Sequence, residues 1–390
     1  MIGEIFLIFL RLGLTSFGGP VAHLSYFRRE FVERRRWLDD DSYAAIVGLC
    51  QFLPGPASSQ VGMALGLMRG GLAGALAAFV GFTAPSAILM TGFAILLAHL
   101  GDVAHAGWVH GLKLAAVAIV AQAVWSMAKS LTPDLPRAGF AAAAAAAMLL
   151  LPFDWTQMAV IALAALLGFV LLAADAKTAP PLALKVPRAL SVLSLALFFV
   201  LLAGLPLAAR IDHAAAVFEA FYRSGALVFG GGHVVLPLLQ KAVADPGWID
   251  RASFLAGYGA AQAMPGPVFS FAAFLGAALN SPPNGIGGAA LALAAIYLPS
   301  FLLVFGVAPL WSAVQSHPGF ARAVKGVNAA VVGLLAAALY TPVFTGAVFA
   351  VSDAAIVGVL IVLLAWRKTP PWAIVLLAVA LAIGAARIVS

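Results

Sequence analysis

The sequence predicts an all-α polytopic membrane protein made of two inverted-topology repeats, with re-entrant or broken helices at its FGG(P/G) and PGP motifs. Three observations carry this reading. Of the 390 residues 63% are hydrophobic and only 9% charged, with a mean hydropathy of +1.05. A soluble domain has roughly 45–50% apolar and about 25% charged residues. The long Ala/Leu/Val runs do not alternate apolar with polar, which excludes a β-barrel. Finally, Gln51-Phe52-Leu53-Pro54-Gly55-Pro56 returns as Gln262-Ala263-Met264-Pro265-Gly266-Pro267, at an offset of 211 from Gln51 to Gln262.

The first helix runs from Ile2 to about Phe17 and stops at Gly18-Gly19-Pro20, where glycine freedom and a missing N–H end it. Glu4 and Arg11 interrupt this apolar run, so it does not read as a cleavable signal peptide. Apolar sequence resumes at Val21 and ends in a basic amphipathic stretch, Tyr26 to Trp37. Asp39 to Asp41 supply a cap and an acidic first turn for the helix Ser42 to Leu53. Pro54-Gly55-Pro56 breaks that helix, and the second proline is suited to start the next, Ala57 to Met68. Gly71 to Leu97, Trp108 to Ser130, Ala138 to Leu151 and Thr156 to Ala174 follow as apolar helices. A linker rich in Pro, Lys and Arg, Lys177 to Arg188, leads to a connecting helix, Ala189 to about Pro206. The chain thus divides into an N-terminal membrane repeat (1–175), the basic linker with its connecting helix (176–211) and a C-terminal membrane repeat (212–390).

The repeat is visible at the rarer residue types. Phe9, Arg11, Gly13, Phe17, Gly18 and Gly19 match Phe221, Arg223, Gly225, Phe229, Gly230 and Gly231 at offset 212. Trp37 and Asp39 match Trp248 and Asp250 at 211, Pro85-Ser86 matches Pro299-Ser300 at 214, and Gly111 matches Gly326 at 215. Matching order with slowly drifting offset indicates duplication.

The helix pieces flanking each Pro-Gly-Pro have about 12–14 residues, roughly 20 Å at 1.5 Å per residue, short of the ~30 Å hydrocarbon core. We therefore expect re-entrant hairpins. Arg28, Arg29, Arg34 to Arg36 and Arg69 then share one side with Lys129, Arg137, Lys177, Lys185, Arg188, Arg322, Lys325, Arg367 and Lys368. The positive-inside rule makes that side cytoplasmic. Asp102, His105, Asp154 and Asp212 fall outside, and Lys241 and Arg251 are exceptions. The second pair of hairpins then enters from the opposite face. The net charge of +7 lies in short linkers, so it calls for membrane lipid and no nucleic acid.

Leu12-Gly13-Leu14-Thr15-Ser16-Phe17-Gly18-Gly19-Pro20 with Trp37-Leu38, and Leu49-Cys50-Gln51-Phe52-Leu53-Pro54-Gly55-Pro56-Ala57-Ser58-Ser59-Gln60-Val61-Gly62, resemble the chromate ion transporter family in its long, two-repeat form. The resemblance covers nearly the whole chain. It implies a multi-pass carrier of the bacterial inner membrane that exports chromate and confers chromate resistance, with sulfate as the competing anion. The second half departs from the motif, with Gly232 where Pro20 stands and Val268-Phe269 where Ala57-Ser58 stand.

A tetrahedral dianion needs donors. Helix N-termini supply unpaired N–H groups and a positive dipole end. The candidate substrate site therefore comprises the breaks themselves, Gly18, Gly19, Gly55, Pro56, Gly230, Gly231, Gly266 and Pro267, with hydroxyls from Ser58, Ser59 and Ser270 and amides from Gln51 and Gln262. Arg11 and Arg223 are further candidates, since charges inside apolar helices are costly without a partner. Their blander reading is snorkelling, or pairing with Glu4 and Glu219. His23 and His233 are proton-coupling candidates, against a structural role. Lys113 is an outside candidate for charge compensation.

The single cysteine, Cys50, excludes an internal disulfide and a CxxC redox or metal motif. No catalytic residue, cofactor or metal site is expected, and no Walker motif suggests ATP use. Transport of sulfate or another oxyanion, an intramembrane enzyme and a channel are the alternatives. A homodimer stays open.

Overall fold

The helices of this chain stop where glycine and proline interrupt the backbone ladder and turn back on themselves. A computed structural model describes residues 1–100, 106–151, 153, 155–173, 184, 186–229, 234–311, 317–366 and 369–389. Gly230 to His233, Asp102, His105, Asp154, Lys177, Lys185, Arg367 and Lys368 lie outside the described residues. Among the described residues there is no strand.

In chain order the helices are α1 (Ile2–Thr15), α2 (Gly19–Phe27), α3 (Asp40–Phe52) and α4 (Ala57–Leu100). α5 (Gly107–Leu131), α6 (Leu135–Leu150), α7 (Thr156–Leu171) and the connecting α8 (Arg188–Ala208) follow. The second repeat holds α9 (His213–Ala226), α10 (Val235–Leu239), α11 (Arg251–Ala263), α12 (Phe271–Ala277) and α13 (Gly285–Val307). It closes with α14 (Pro318–Ala338), α15 (Val351–Trp366) and α16 (Pro371–Val389). Asp39, Asp134 and Asp212 cap their helices by accepting from Ser42 N, Arg137 N and Ala215 N.

Three boundaries are informative, and the last of them differs from the sequence reading. α2 runs on into the basic stretch as a π-helical turn, Arg28–Arg34. α4 leaves helical geometry at Gly70 and Gly71, so it is two helices in sequence, as the gap between Met68 and Gly71 suggested. The helix after Pro267 does not start directly. A 3₁₀ turn, Val268–Ser270, comes first, and Ser270 N donates to Pro267 O at 3.0 Å.

Among the described residues, five stretches are long and apolar enough to cross a bilayer: Ala57–Leu100, Gly107–Leu131, Arg188–Ala208, Gly285–Leu310 and Gly319–Phe344. α8 buries only Ser191, Ser194 and Phe198 and exposes Val192, Leu193, Phe199 and Val200, a surface that suits lipid. The chain is a multi-pass membrane protein.

By packing, the chain forms two compact units, each drawn from both repeats. Unit 1 takes residues 1–101, 179–250 and 264–313, and unit 2 takes 102–178, 251–263 and 314–390.

In unit 1 the hairpins close at their ends. Glu4, at the start of α1, pairs with Arg35 at 3.2 Å, so the chain returns to its starting level after the π turn. Arg28 pairs with Asp40 at 2.8 Å, and the Arg69 guanidinium lies 5.4 Å from the centre of the Trp37 ring. The mouth of the α3–α4 hairpin therefore sits beside that of the first. The second repeat does the same with different chemistry. His213 meets Trp248 edge to face, and Asn280 Nδ2 donates to Gly247 O. Gly13 and Gly225 permit equivalent close crossings. A methyl at Gly13 would lie 2.6 Å from Phe82 O, and one at Gly225 would lie 2.1 Å from Ile296 O.

In unit 2 the repeats exchange partners. α5 packs on α16 and α14 on α7. Gly111 gives way to the backbone of Val379 (2.5 Å to an added methyl), and Gly326 to Ala164 O (2.2 Å). Lys325 Nζ donates to Ala173 O, and Arg322 lies over Phe169, which brings the start of α14 to the end of α7. His110, near the start of α5, meets Asp353, near the start of α15, at 2.8 Å.

Candidate functional site

In unit 1 each Pro-Gly-Pro break is tied to a residue that precedes the glycine pair of the other repeat. α1 ends at Thr15, Ser16 is extended, Gly18 caps α2 with φ 99° and Gly19 opens it with φ 77°. α3 ends at Phe52, Leu53 is extended, and Gly55 has φ 126°. The Gly55 amide donates to Val228 O at 2.7 Å, and the Gly266 amide donates to Ser16 O at 2.8 Å. Ser16 and Val228 are repeat equivalents at offset 212, and Gly55 and Gly266 at 211. Each repeat therefore completes the break of the other, a reciprocal pairing of the kind a two-fold relation generates.

Polar side chains gather around this knot. His23 Nδ1 and Ser58 Oγ are 3.3 Å apart. Gln60 Nε2 donates to Pro54 O at 2.7 Å and to Ser300 Oγ at 3.4 Å. Those bonds require the amide nitrogen, so Gln60 Oε1 is the atom left free. Ser86 and Ser270 share a 2.6 Å hydroxyl contact. The Tyr297 hydroxyl, 1% exposed, is turned toward Ser59, Thr83 and Ser270, with none of them at hydrogen-bonding geometry. Under the repeat, Ser59 corresponds to Ser270, Thr83 to Tyr297 and Ser86 to Ser300.

Six buried polar atoms here have no partner: Ser16 Oγ, His23 Nε2, Ser59 Oγ, Gln60 Oε1, Thr83 Oγ1 and Tyr297 OH. Leaving one such group unsatisfied costs about 1–3 kcal/mol. Native interiors hold few of them, so this run of six is the candidate place for a polar occupant. Most of these atoms are hydroxyls, which donate readily. The first-turn amides of α2 and α4, which have no intrahelical acceptor, add donors at the same breaks.

The structure brings together only part of the sequence-derived set. Ser58, Ser59, Gly55, Pro56, Gly266, Pro267 and Ser270 are buried, and His23 is buried against Ser58. Gly18 and Gly19 form the turn beside them. Gly230, Gly231 and His233 lie outside the described residues. Gln51 is exposed. The amide facing the break is that of Gln60, nine residues on. Gln262 is buried in unit 2 with its Nε2 unpartnered. Arg223 is exposed and pairs with Glu219 at 3.0 Å, one helical turn away. Arg11 is exposed in a separate cleft, and Glu4 pairs with Arg35 and not with Arg11. The 3₁₀ turn after Pro267 means that the second Pro-Gly-Pro does not present an α-helical first turn as the first does.

Gln60, Thr83, Ser86, Tyr297 and Ser300 went unread as site residues. The signal was present: Ser86 and Ser300 adjoin the matched Pro85 and Pro299, and Thr83 and Tyr297 share their offset of 214. Lys113 is buried in α5 and its ammonium lies 6.0 Å from the Phe349 ring in unit 2. Among the described residues, no three His, Cys, Asp or Glu side chains gather as metal ligands.

The sequence matches the family model described as Chromate transporter twice, over residues 3–169 and 215–385. It is 28% identical over 368 residues to a chromate transport protein of Cupriavidus metallidurans, covering 93% of this chain and 85% of that protein. It is 27% identical over 352 residues to the chromate transport protein of Pseudomonas aeruginosa, covering 86% and 79%. It is 29% identical over 339 residues to a probable chromate transport protein of Synechococcus elongatus, covering 85% and 82%. No solved structure is significantly similar to it.

Proposed function

The chain belongs to the chromate transporter family, and from that premise we propose that it is a secondary carrier exporting chromate across the bacterial inner membrane. One observation carries the location of the site: the run of unpartnered buried polar atoms where the breaks of the two repeats interlock. In this reading the dianion sits among the hydroxyls of Ser59, Thr83, Ser270 and Tyr297, with the first turn of α4 at Ser58 directed at it. Neutral donors in a water-poor site hold a dianion without a counter-charge that would have to travel with it. His23 stands beside Ser58 and is the proton-coupling candidate.

Inverted topology follows from the helix order. With both hairpins of each repeat entering and leaving on one face, α4, α5, α6, α7 and α8 cross between the first repeat's hairpins and the second's. An odd number of crossings turns the second repeat over. The internal contacts of unit 2 agree with this order. They join ends assigned to one side (Lys325 with Ala173) and ends assigned to the other (His110 with Asp353). Under the positive-inside rule the Arg28 to Arg36 side is cytoplasmic. The membrane potential then drives export, at roughly 4.6 kcal/mol for a dianion per 100 mV. Rocking of the interlocked repeats would expose the site alternately.

Chromate uptake into everted membrane vesicles, with sulfate as competitor, tests this reading. Uptake should be saturable, abolished when Ser59 and Ser270 are both replaced by alanine, and dependent on an interior-positive vesicle potential. Unchanged uptake in that double variant would remove the site from the breaks. Sulfate uptake without chromate uptake would reassign the cargo.

A further inference from the structure

The cleft in which Arg11 lies is separate from the interlocked breaks and has no role in the argument above. It encloses about 570 Å³ between α1 and the end of α2 with its π turn, a size typical of small-ligand sites. Arg11, Arg29, Arg34, Tyr26 and Thr15 line it together with Glu30 and Glu33. Both acids are already engaged. Glu30 holds Arg34 at 3.1 Å and Arg35 at 2.6 Å, and Glu33 holds Arg28. That leaves Arg11 and Arg29 without an ion pair among the described residues, facing one space from two helices.

Depth sharpens the point. Glu4 and Arg35 mark the mouth of the hairpin. Arg11 stands seven residues further along α1, roughly 10 Å deeper at 1.5 Å per residue. An arginine at that depth costs a few kcal/mol unless water or an anion meets it. Forked guanidinium donors from more than one direction suit the oxygens of a tetrahedral group.

We propose that this cleft is a second tetrahedral-oxyanion site, in which Arg11 and Arg29 clamp the anion and Tyr26 lies at its edge. The chemistry is shared by two ligands, a lipid headgroup phosphate and a free oxyanion such as chromate. The proposal does not depend on the breaks being the transport site.

The test uses the full-length protein in phosphatidylcholine nanodiscs. Chromate binding is measured by equilibrium dialysis, and retention of added phosphatidylglycerol by native mass spectrometry. The variants are Arg11→Gln with Arg29→Gln, and Ser59→Ala with Ser270→Ala as the pair at the breaks. In the Ser59→Ala, Ser270→Ala background, where chromate no longer binds at the breaks, one ligand should still bind and should lose about tenfold in affinity when Arg11→Gln and Arg29→Gln are added, with the loss shrinking at high salt. Loss of chromate identifies a free-anion station, and loss of phosphatidylglycerol identifies a headgroup site. If neither ligand weakens, the proposal fails. Arg29→Gln alone, on the exposed π turn, serves if the double variant does not fold, and its binding must fall in the same direction. Failure of the break site would instead appear as unchanged chromate transport in the serine variant.

Discussion

Replacing Gly55 with alanine tests the interlock of the repeats most directly. Gly55 has φ 126°, and a methyl there would lie 2.4 Å from Gln60 Nε2 and 2.6 Å from Ser300 Oγ. The backbone term alone is about 1–3 kcal/mol for a residue with a side chain. Relieving the clash moves the Gln60 amide off Pro54 O, and a buried side-chain amide left unsatisfied adds about 1–3 kcal/mol. We expect a loss of roughly 2–6 kcal/mol by these two terms. Gly266 is the control. Its φ is 92°, but an added methyl meets nothing closer than Ser86 Oγ at 3.0 Å, so only the backbone term applies in full. Gly55→Ala should therefore melt well below Gly266→Ala. The assay needs no engineering, because Cys50 is the only thiol and is 0% exposed in the folded protein. Labelling of Cys50 by a fluorogenic maleimide during heating reports the unfolding midpoint. Equal midpoints for the two variants, or a wild-type midpoint for Gly55→Ala, would refute the reasoning.

Tyr297→Phe should cut chromate uptake at least tenfold, from the roughly 1.5–3 kcal/mol of a hydrogen bond to a charged group. It should leave the Cys50 midpoint unchanged or raised, since the lost hydroxyl has no partner in the free protein. Full uptake in this variant would remove Tyr297 from the site. Gly326→Val should lower the midpoint by an amount corresponding to about 1–3 kcal/mol or more, because the new side chain meets Ala164 O and the Gly168 Cα. A wild-type midpoint would mean that α14 and α7 do not cross so closely. Burial pushes the Glu30 carboxyl up, but the guanidinium groups of Arg35 and Arg34 outweigh that and hold it below its ordinary range. A depressed folded-state pKa gives stability that is present above the unfolded value of about 4.3 and lost as pH falls through the lower folded value. The midpoint should fall in that acid range, and Glu30→Gln should flatten part of the dependence. An identical acid profile would assign no weight to these ion pairs.

The breaks and the duplication were legible because glycine, proline and tryptophan carry geometric demands that survive divergence. What the breaks do to the phase of the helices was not. Gln51 and Gln60 both adjoin Pro54-Gly55-Pro56, and only the turn angles at Leu53 and Gly55 decide that Gln60 faces inward. The two matched arginines part company in the structure. Arg223 takes the local partner that the i,i+4 spacing of Glu219 offers, whereas Arg11 does not pair with Glu4. Glu4 finds Arg35 only because the chain doubles back, which no spacing rule within one helix shows. Thr83 and Tyr297 differ in type, so a search for identical residues in the two halves passes over them.

The exchanged bonds at Gly55 and Gly266 also bear on how the protein is made. When the first half emerges from the ribosome, the carbonyl that will receive the Gly55 amide has not yet been synthesised, because it belongs to Val228. Ser16 likewise waits for Gly266. Neither break is therefore complete until both halves of the chain are present. Two halves expressed as separate polypeptides should accumulate only when produced together.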